Sequence, residues 1–321
     1  MGGGVSSFFP VNSGVRQGCV LAPSLFSACM DWVLGRTVDR SRCGADVGNV
    51  KITDLDFADD AVIFAESLEV LALALEALSG EARPLGLEVS WIKTKIQVFG
   101  DLMDEAVQSV RIRGENIEIL DRFTYLGSVV HSDGGSGYEV SRRIGLAHGV
   151  MESLNSSIWR CRYLCRRTKI RVFSTLVLPV LLYGCETWTL NADMKRRLDV
   201  FGTSCLRRIM GYRWNDYVSN RSLLRETGLP EVTSMVRQRQ LQLYGHVARL
   251  PETDPANRVL AVADNPDWRR PRGRPHFSWL RQVDESCREV LGMGRVPAWG
   301  LARGDRLEWR RRVGVAMRPR V

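Results

Sequence analysis

The chain has 321 residues, of which 45% are hydrophobic and 25% charged, and it carries a formal net charge of +9 at pH 7. These values are typical of a folded globular protein with room for about two domains. The longest nearly apolar run, residues 172–183, is too short to span a membrane, and residues 1–10 lack the pattern of a secretory signal. We therefore expect a nuclear or cytoplasmic protein that is not secreted and has no membrane partner.

The positive charge is clustered, and nearly all of it is arginine. Only five of the 45 basic residues are lysines, and the stretch "IWRCRYLCRRTKIRVF" (158–173) holds six basic residues and no acid. The guanidinium group suits contacts with phosphates and stacking on bases, so the clustering favours a nucleic-acid partner. The alternative interpretation is an ordinary solvated surface.

In chain order, residues 5–36 predict a loop and then a helix with Pro23 in its first turn. Residues 50–64 predict two short strands. Residues 67–80 predict an amphipathic helix capped by Ser67 and ended by Gly80, and residues 86–100 predict a strand pair that turns near Lys93.

Further along, residues 115–130 predict two more strands, and the glycine-rich stretch 131–139 predicts a linker. The pattern is then mostly helical to about residue 250, and the remaining residues form a basic tail rich in Pro and Gly. We expect an α+β fold divided into residues 1–130, a helical segment 138–228 and a basic nucleic-acid-binding segment 229–321.

Two adjacent carboxylates, Asp59 and Asp60, stand inside the apolar stretch "DLDFADDAVIFAE" (54–66). Adjacent aspartates often mark nothing more than a solvated turn. Here the flanking residues are strand-like, so we expect the turn to be anchored to a buried hairpin. Two hard carboxylates on a rigid hairpin can bind Mg²⁺, which takes one or two carboxylates together with substrate phosphates. A two-metal site of this kind serves nucleotide polymerisation.

Several motifs stand in a fixed order around this pair: "SGVRQGCVLAPSLF" (13–26), "FADD" (57–60), "GLEVSWIKTK" (86–95) and "FTYLGS" (123–128). They are followed by "VLPVLLYGCETWTL" (177–190), "RQRQLQLYGHVARLP" (237–251) and "RRPRGRPHFSWL" (269–280). In this order the chain resembles the reverse transcriptases of LINE-type (non-long-terminal-repeat) retrotransposons. Each motif alone is weak, but the ordered set is specific. The resemblance implies a partial polymerase palm, an antiparallel sheet with helices on one face, followed by a helical thumb and a basic module.

The resemblance also implies roles for individual residues. Asp59 would bind a catalytic Mg²⁺ directly, Asp60 would support the same metal site, and Lys93 would lie near the leaving pyrophosphate. The loop over the incoming deoxynucleotide would be formed by Gly14, Arg16, Gln17 and Gly18. A hairpin that positions the primer end would be formed by Phe123, Tyr125, Leu126 and Gly127. The implied partners are an RNA template and a DNA primer.

The family uses a third carboxylate upstream of the glycine loop, yet residues 1–12 contain no Asp or Glu. We therefore expect this chain to be part of a reverse transcriptase that lacks the fingers and does not polymerise alone. The alternative is a non-catalytic nucleic-acid-binding protein derived from a retrotransposon. An unrelated protein with an incidental Asp turn would have to match all the ordered motifs by chance.

The arginines divide into two predicted nucleic-acid-binding groups. In the first, we expect one helix to place Arg160, Arg167 and Arg171 together, with Arg162 and Arg166 on a neighbouring stripe. The second group lies in the tail and comprises Arg269, Arg270, Arg272 and Arg274. The tail tryptophans can stack on RNA, but for Trp279 and Trp309 we favour packing in a small core.

Overall fold

The computed structural model describes residues 18–47, 50–100, 108–262 and 278–315. These residues form two compact units. The first unit contains the described residues up to 96, those from 108 to 120 and those from 258 to 262. The second contains residues 97–100, 121–257 and 278–315.

The first unit begins with two helices, α1 (Ala22–Ser41) and α2 (Leu68–Ala82). Its strands form antiparallel pairs: β1 (Ala45–Val47) with β2 (Val50–Ile52), β3 (Asp54–Phe57) with β4 (Asp60–Ile63), and β5 (Ser109–Ile112) with β6 (Glu115–Glu118). As predicted, Pro23 lies in the first turn of α1, and the Ser67 hydroxyl caps α2 by accepting a hydrogen bond from the Val70 N–H.

Helices α1 and α2 pack against each other because each presents an apolar stripe. Val33 and Leu34 of α1, and Ala74 and Leu75 of α2, are buried. At the rim of this contact the exposed Arg40 pairs with Glu81, whose side chain is only 11% exposed. The helix pair is thus held by burial of apolar surface and by the ion pairs of Glu81 with Arg40 and Arg36.

Two local predictions in this unit are wrong. Gly80 does not end α2, which continues to Ala82 and is followed by a 3₁₀ turn (Arg83–Leu85) that ends at Gly86, where φ is 75°. Residues 86–100 form turns and not a strand pair, because the Ser90 carbonyl accepts hydrogen bonds from Lys93 and Thr94 and so closes the backbone on itself. Ile96 forms an isolated β-bridge with Ile119.

The second unit opens with the antiparallel pair β7 (Arg122–Tyr125) and β8 (Ser128–His131). Its helices are α3 (Gly137–Ser153), α4 (Arg166–Val172), α5 (Leu178–Leu181), α6 (Ala192–Met210), α7 (Asn220–Thr227), α8 (Val232–Ala248), α9 (Pro255–Val262), α10 (Trp279–Leu291), α11 (Arg295–Gly304) and α12 (Arg306–Val315). Helix α9 runs from the second unit into residues grouped with the first.

A π-helical turn, Phe173–Val177, joins α4 to α5. It ends two residues before Pro179, whose ring would clash with the carbonyl four residues earlier in a regular α-helix. Widening the turn keeps the chain helical, so that Phe173 and Leu181 both reach the main core of the unit. That core also contains Leu198 of α6, Leu223 of α7 and Val236 of α8.

Helix α8 has a second buried face, which packs against the C-terminal helices. Trp309 of α12 is 1% exposed and lies against Gly245 so closely that a Cβ there would meet its indole nitrogen at 2.1 Å. The expectation that Trp309 belongs to a core is confirmed. Trp279 is half-buried, and its indole N–H donates to the carbonyl oxygen of Glu186 at 2.8 Å.

The mixed α and β composition with antiparallel strand pairing is confirmed, but the expected single sheet is not. Among the described residues the strands form four separate two-stranded pairs. None of the helices described is both long and apolar enough to cross a membrane. The division into residues 1–130, 138–228 and 229–321 stays a prediction, and the hairpin 122–131 groups with the helical unit.

Candidate catalytic hairpin and nucleic-acid interface

The Asp pair lies at the tip of the β3–β4 hairpin. Phe57 and Asp60 are opposite each other, and Ala58 and Asp59 form the two-residue loop between them. Ala58 has φ of 57°, a left-handed conformation that residues with a Cβ rarely adopt. A tight loop with a strained non-glycine residue places Asp59 at the apex and Asp60 at the first position of β4.

The hairpin is not buried, contrary to our expectation. Phe57 is 63% exposed and Leu55 is 47% exposed. Because opposite and alternate residues share a face of a hairpin, Asp60 lies on the same face as Phe57, Leu55 and Val62. This face combines an exposed apolar surface with one carboxylate at its end.

The donor chemistry of the tip fits a hard divalent cation. Asp59 and Asp60 are both exposed, so four carboxylate oxygens are accessible to an ion that completes its coordination with water and phosphate. Within the described residues, no cluster of three or more His, Cys, Asp or Glu side chains could enclose a metal. The chemistry of the tip is that of an open site for a divalent cation and not of a closed structural one.

The other residues predicted for this site are only partly described. Lys93 is exposed in the turn after Ser90, and Gly18 has φ of 85°, with open space where a side chain would stand. Gly14, Arg16 and Gln17 lie outside the described residues. Lys93 and Gly18 share the first unit with the Asp pair, and no hydrogen bond or ion pair of the described residues joins Lys93 to either aspartate.

The predicted primer-positioning residues form a second hairpin tip, in the second unit. Tyr125 and Ser128 are opposite each other, and Leu126 and Gly127 form the loop. Both loop residues have positive φ, 46° and 77°, as a type I′ turn requires. Phe123 and Leu126 are exposed, at 37% and 40%, so the tip presents apolar side chains outward.

Side chains of helix α3 hold the backbone of this tip through hydrogen bonds. The guanidinium groups of Arg142 and Arg143 both donate to the carbonyl oxygen of Gly127, and Glu139 accepts a hydrogen bond from the Val129 N–H at 2.9 Å. Glu139 also pairs with Arg143 at 2.5 Å, and both side chains are less than 10% exposed. We call Glu139, Arg142 and Arg143 the hairpin clamp.

Tyr183, just after α5, completes the attachment. Its hydroxyl donates to the carbonyl oxygen of Leu126 at 2.9 Å, and the guanidinium of Arg143 lies 4.4 Å from its ring centroid. Both carbonyls of the turn are therefore satisfied by the helical unit, which fixes where the exposed residues of the tip stand.

The basic stretch 158–173 is not one helix, so this prediction is wrong. A π-helical turn covers Asn155–Trp159, residues 160–165 are irregular, and α4 begins only at Arg166. Arg160 and Arg162 thus lie in a connecting segment, whereas Arg166, Arg167 and Arg171 lie on α4, and all five are exposed. The surface is still strongly basic, but its arginines project from two different elements. Arg269, Arg270, Arg272 and Arg274 lie outside the described residues.

The sequence analysis missed the hairpin clamp and an exposed aromatic loop between α6 and α7. The clamp had a visible signal, because Glu139 stands three and four residues before Arg142 and Arg143 near the start of a predicted helix. The loop holds Trp214 and Tyr217, which are 89% and 87% exposed. No sequence pattern distinguishes such side chains from core aromatics.

Comparison with known proteins supports the resemblance to reverse transcriptases. The family model of reverse transcriptase (RNA-dependent DNA polymerase) matches residues 2–130. A transposon-derived protein of Caenorhabditis elegans is 26% identical over 273 residues, which are 82% of this chain and 95% of that protein. The RNA-directed DNA polymerase from mobile element jockey of Drosophila melanogaster is 22% identical over 71% of this chain.

A retrovirus-related Pol polyprotein from a type-1 retrotransposable element of Popillia japonica is 24% identical over 62% of this chain. The aligned residues are 25% of the jockey polymerase and 28% of the Popillia polyprotein, so the chain spans about a quarter of these two relatives.

These matches identify residues 2–130 as reverse transcriptase sequence. The similarity to retrotransposon proteins runs far beyond those residues, and it confirms the resemblance carried by the ordered motifs. The comparisons therefore support a reverse transcriptase of the LINE-type retrotransposons.

Proposed function

We propose that this chain carries the metal-binding hairpin, the primer-positioning hairpin and part of the nucleic-acid surface of a retrotransposon RNA-directed DNA polymerase. The observation that carries the proposal is the β3–β4 tip, where a strained two-residue loop presents Asp59 and Asp60 side by side to solvent. Its place of action would be the nucleus or the cytoplasm.

Asp59 and Asp60 would hold Mg²⁺ at this tip. When bound, Mg²⁺ would neutralise phosphate charge and assist ionisation of the primer hydroxyl. The exposed ammonium group of Lys93 would offset charge on the departing pyrophosphate. The positive φ and the open surroundings of Gly18 support close approach of the backbone to a deoxynucleotide.

The β7–β8 tip would position the primer end. Because Tyr183 and the hairpin clamp hold its two carbonyl oxygens, Phe123, Tyr125 and Leu126 start from a fixed backbone. Such preorganisation limits the entropy lost when the primer end is aligned. Arg166, Arg167 and Arg171 on α4 would contact the phosphates of the template–primer, which fix register and not sequence.

A metal-mapping experiment tests whether the β3–β4 tip binds a metal without relying on polymerase activity. Fe²⁺ replaces Mg²⁺ at carboxylate sites and, with ascorbate and peroxide, cleaves the nearby backbone. We expect cleavage near residues 59 and 60 that added Mg²⁺ suppresses and that Asp59→Asn abolishes. Asp56→Asn is the matched control, because Asp56 lies on the same hairpin opposite Ala61. Equal loss of cleavage in both variants would contradict the assignment.

Primer extension separates the polymerase from the alternative, a retrotransposon-derived protein that binds nucleic acid without catalysis. The purified chain is given an RNA template, an annealed DNA primer, deoxynucleotides and Mg²⁺. Extension that disappears in Asp59→Asn supports a polymerase active by itself. Binding without extension, together with Mg²⁺-suppressed cleavage at Asp59, fits a polymerase site that needs further parts. Binding with no metal at Asp59 favours the alternative.

Binding through α4 is tested by fluorescence anisotropy with a labelled RNA–DNA duplex. We expect Arg167→Ala with Arg171→Ala to weaken binding and to lower the salt dependence by about two counterions. Arg196→Ala is the control, since Arg196 is also exposed but pairs with Asp193 at 2.8 Å. An unchanged salt dependence in the double variant would remove α4 from the interface.

A further inference from the structure

The loop between α6 and α7 is built to hold two large aromatic side chains in solvent. Helix α6 ends at Gly211, where φ is 77°, and a 3₁₀ turn (Trp214–Asp216) follows. The Arg213 N–H donates to the Asp216 carboxylate at 2.6 Å, and Tyr217 then adopts a left-handed φ of 51°. These contacts fix the backbone on which Trp214 and Tyr217 stand.

A single arginine holds the far end of the loop. The guanidinium of Arg207 donates to the Val218 carbonyl oxygen at 2.7 Å and to the Asn220 side-chain oxygen at 2.8 Å. The loop is thus fixed at both ends by charged hydrogen bonds, while Trp214 and Tyr217 remain 89% and 87% exposed. Because the backbone is held at both ends, the exposure of these two rings does not come from local unfolding of the loop.

A third exposed aromatic, Tyr163, belongs to the neighbouring basic segment. It is 97% exposed and lies among the exposed arginines of residues 160–167. Arg166 connects this segment to the aromatic loop: its guanidinium lies 6.0 Å from the ring centroid of Tyr212 and 3.6 Å from the Glu226 carboxylate. The Tyr212 hydroxyl donates to the same carboxylate at 2.5 Å.

Exposed Trp, Tyr and Arg occur both in protein interfaces and in nucleic-acid surfaces. The local charge favours the nucleic-acid surface here. Residues 158–173 carry six basic side chains and no acid, which suits a polyanion and not a generic protein surface. Bases within a duplex are stacked on each other, so exposed rings gain contact only with unpaired bases.

We propose that Tyr163, Trp214 and Tyr217 form a stacking surface for unpaired bases of a single-stranded nucleic acid, whose phosphates contact Arg160, Arg162 and Arg167. This surface shares no residue with the β3–β4 tip, and the inference rests on the proposed function only in assuming that the chain binds nucleic acid. The contacts are sequence-tolerant, because every base offers a face for stacking.

The test compares single-stranded and duplex binding by anisotropy, using the full chain at one salt concentration. The probes are a labelled oligouridylate, a labelled oligothymidylate and a blunt RNA–DNA duplex. We expect Trp214→Ala with Tyr217→Ala to weaken binding of the single strands at least about tenfold and to change duplex binding less than about threefold. The two single-stranded probes distinguish RNA from DNA.

Two controls keep the result interpretable. Trp214→Phe with Tyr217→Phe retains aromatic faces and should recover most of the lost affinity. Trp32→Ala removes another exposed aromatic that also has an arginine beside it, Arg36, and should leave single-strand binding unchanged. As a stacking signature, oligouridylate should quench a component of tryptophan fluorescence that Trp214→Phe lacks.

The outcomes separate this inference from the proposed function. If the affinity of the double alanine variant for single strands is within twofold of that of the parent chain, the proposed stacking role of these residues is wrong. Equal weakening of single-strand and duplex binding also overturns it, since the loop would then only support the arginines. If the parent chain binds none of the probes, the proposed function fails together with the inference.

Discussion

The guanidinium of Arg143 lies 4.4 Å above the ring centroid of Tyr183, and the two side chains hold adjacent carbonyls of one turn. Arg143 donates to Gly127 and Tyr183 to Leu126. Glu139 neutralises Arg143 within the same buried contact. The tip of the β7–β8 hairpin is therefore part of the helical unit, although its sequence places it next to the strands of the first unit.

Arg143, the buried arginine of the hairpin clamp, should contribute far more to stability than the more exposed Arg142. Arg143→Met leaves the Glu139 carboxylate buried without its main partner, which typically costs about 3–5 kcal/mol. Arg142→Met removes a side chain that is 36% exposed and should cost no more than about 1 kcal/mol. Urea unfolding of both variants measures the difference. Equal losses would mean that Glu139 does not depend on Arg143.

Gly245 should tolerate no side chain. Gly245→Ala would place a Cβ 2.1 Å from the indole nitrogen of the buried Trp309, and overpacking of this kind typically costs about 1–3 kcal/mol. Gly300→Ala in α11 meets nothing within 4 Å and should stabilise the chain by about 0.5–1 kcal/mol through helix propensity. Thermal unfolding of the two variants should therefore shift in opposite directions, and a stabilised Gly245→Ala would contradict the packing.

The cysteines should differ sharply in reactivity. The thiol of Cys165 is exposed, and its hydrogen bond with Thr168 lowers its pKa, so more of it is thiolate at neutral pH. Burial raises the pKa of Cys185, Cys205 and Cys287 to about 12. Mass spectrometry after brief maleimide treatment of the folded chain should find Cys165 modified and these three protected. Faster modification of Cys205 than of Cys165 would be inconsistent with this burial.

The contribution of Asp199 to folding stability should decrease as the pH rises. Its carboxylate accepts hydrogen bonds from the Thr233 N–H and hydroxyl at 3.0 and 2.8 Å, yet burial raises its pKa above the usual 3.8. A carboxyl whose pKa is raised by folding contributes most stability below its unfolded pKa and loses that contribution as the pH rises through its folded pKa.

The measurement is urea unfolding of the parent chain and of Asp199→Asn at pH 7, 5 and 4. The asparagine does not titrate, and the other ionisable groups are common to both chains. We expect the parent chain to gain stability relative to Asp199→Asn as the pH falls. A relative loss on acidification would mean that the hydrogen bonds of Thr233 outweigh burial.

Local signals in the sequence predicted much of the secondary structure and the family. Ser67 caps α2 and Pro23 opens α1, as expected, because caps and first-turn prolines depend only on neighbouring residues. Two local predictions in the first unit are wrong. Residues 86–100 alternate like strands, but Ser90, Lys93 and Thr94 close a local turn. Helix α2 continues past its predicted end at Gly80 to Ala82.

The sequence by itself determined the ordered motifs, the Asp59–Asp60 pair between strands and the concentration of arginine, because each of these is a property of residues close together in the chain. Only the tertiary structure decided that Tyr183 reaches back to Leu126, that Trp309 fills the space beside Gly245, and that Trp214 and Tyr217 stand in solvent. The first two facts depend on contacts between residues tens of positions apart. Such contacts follow from how helices pack, and no local pattern encodes them.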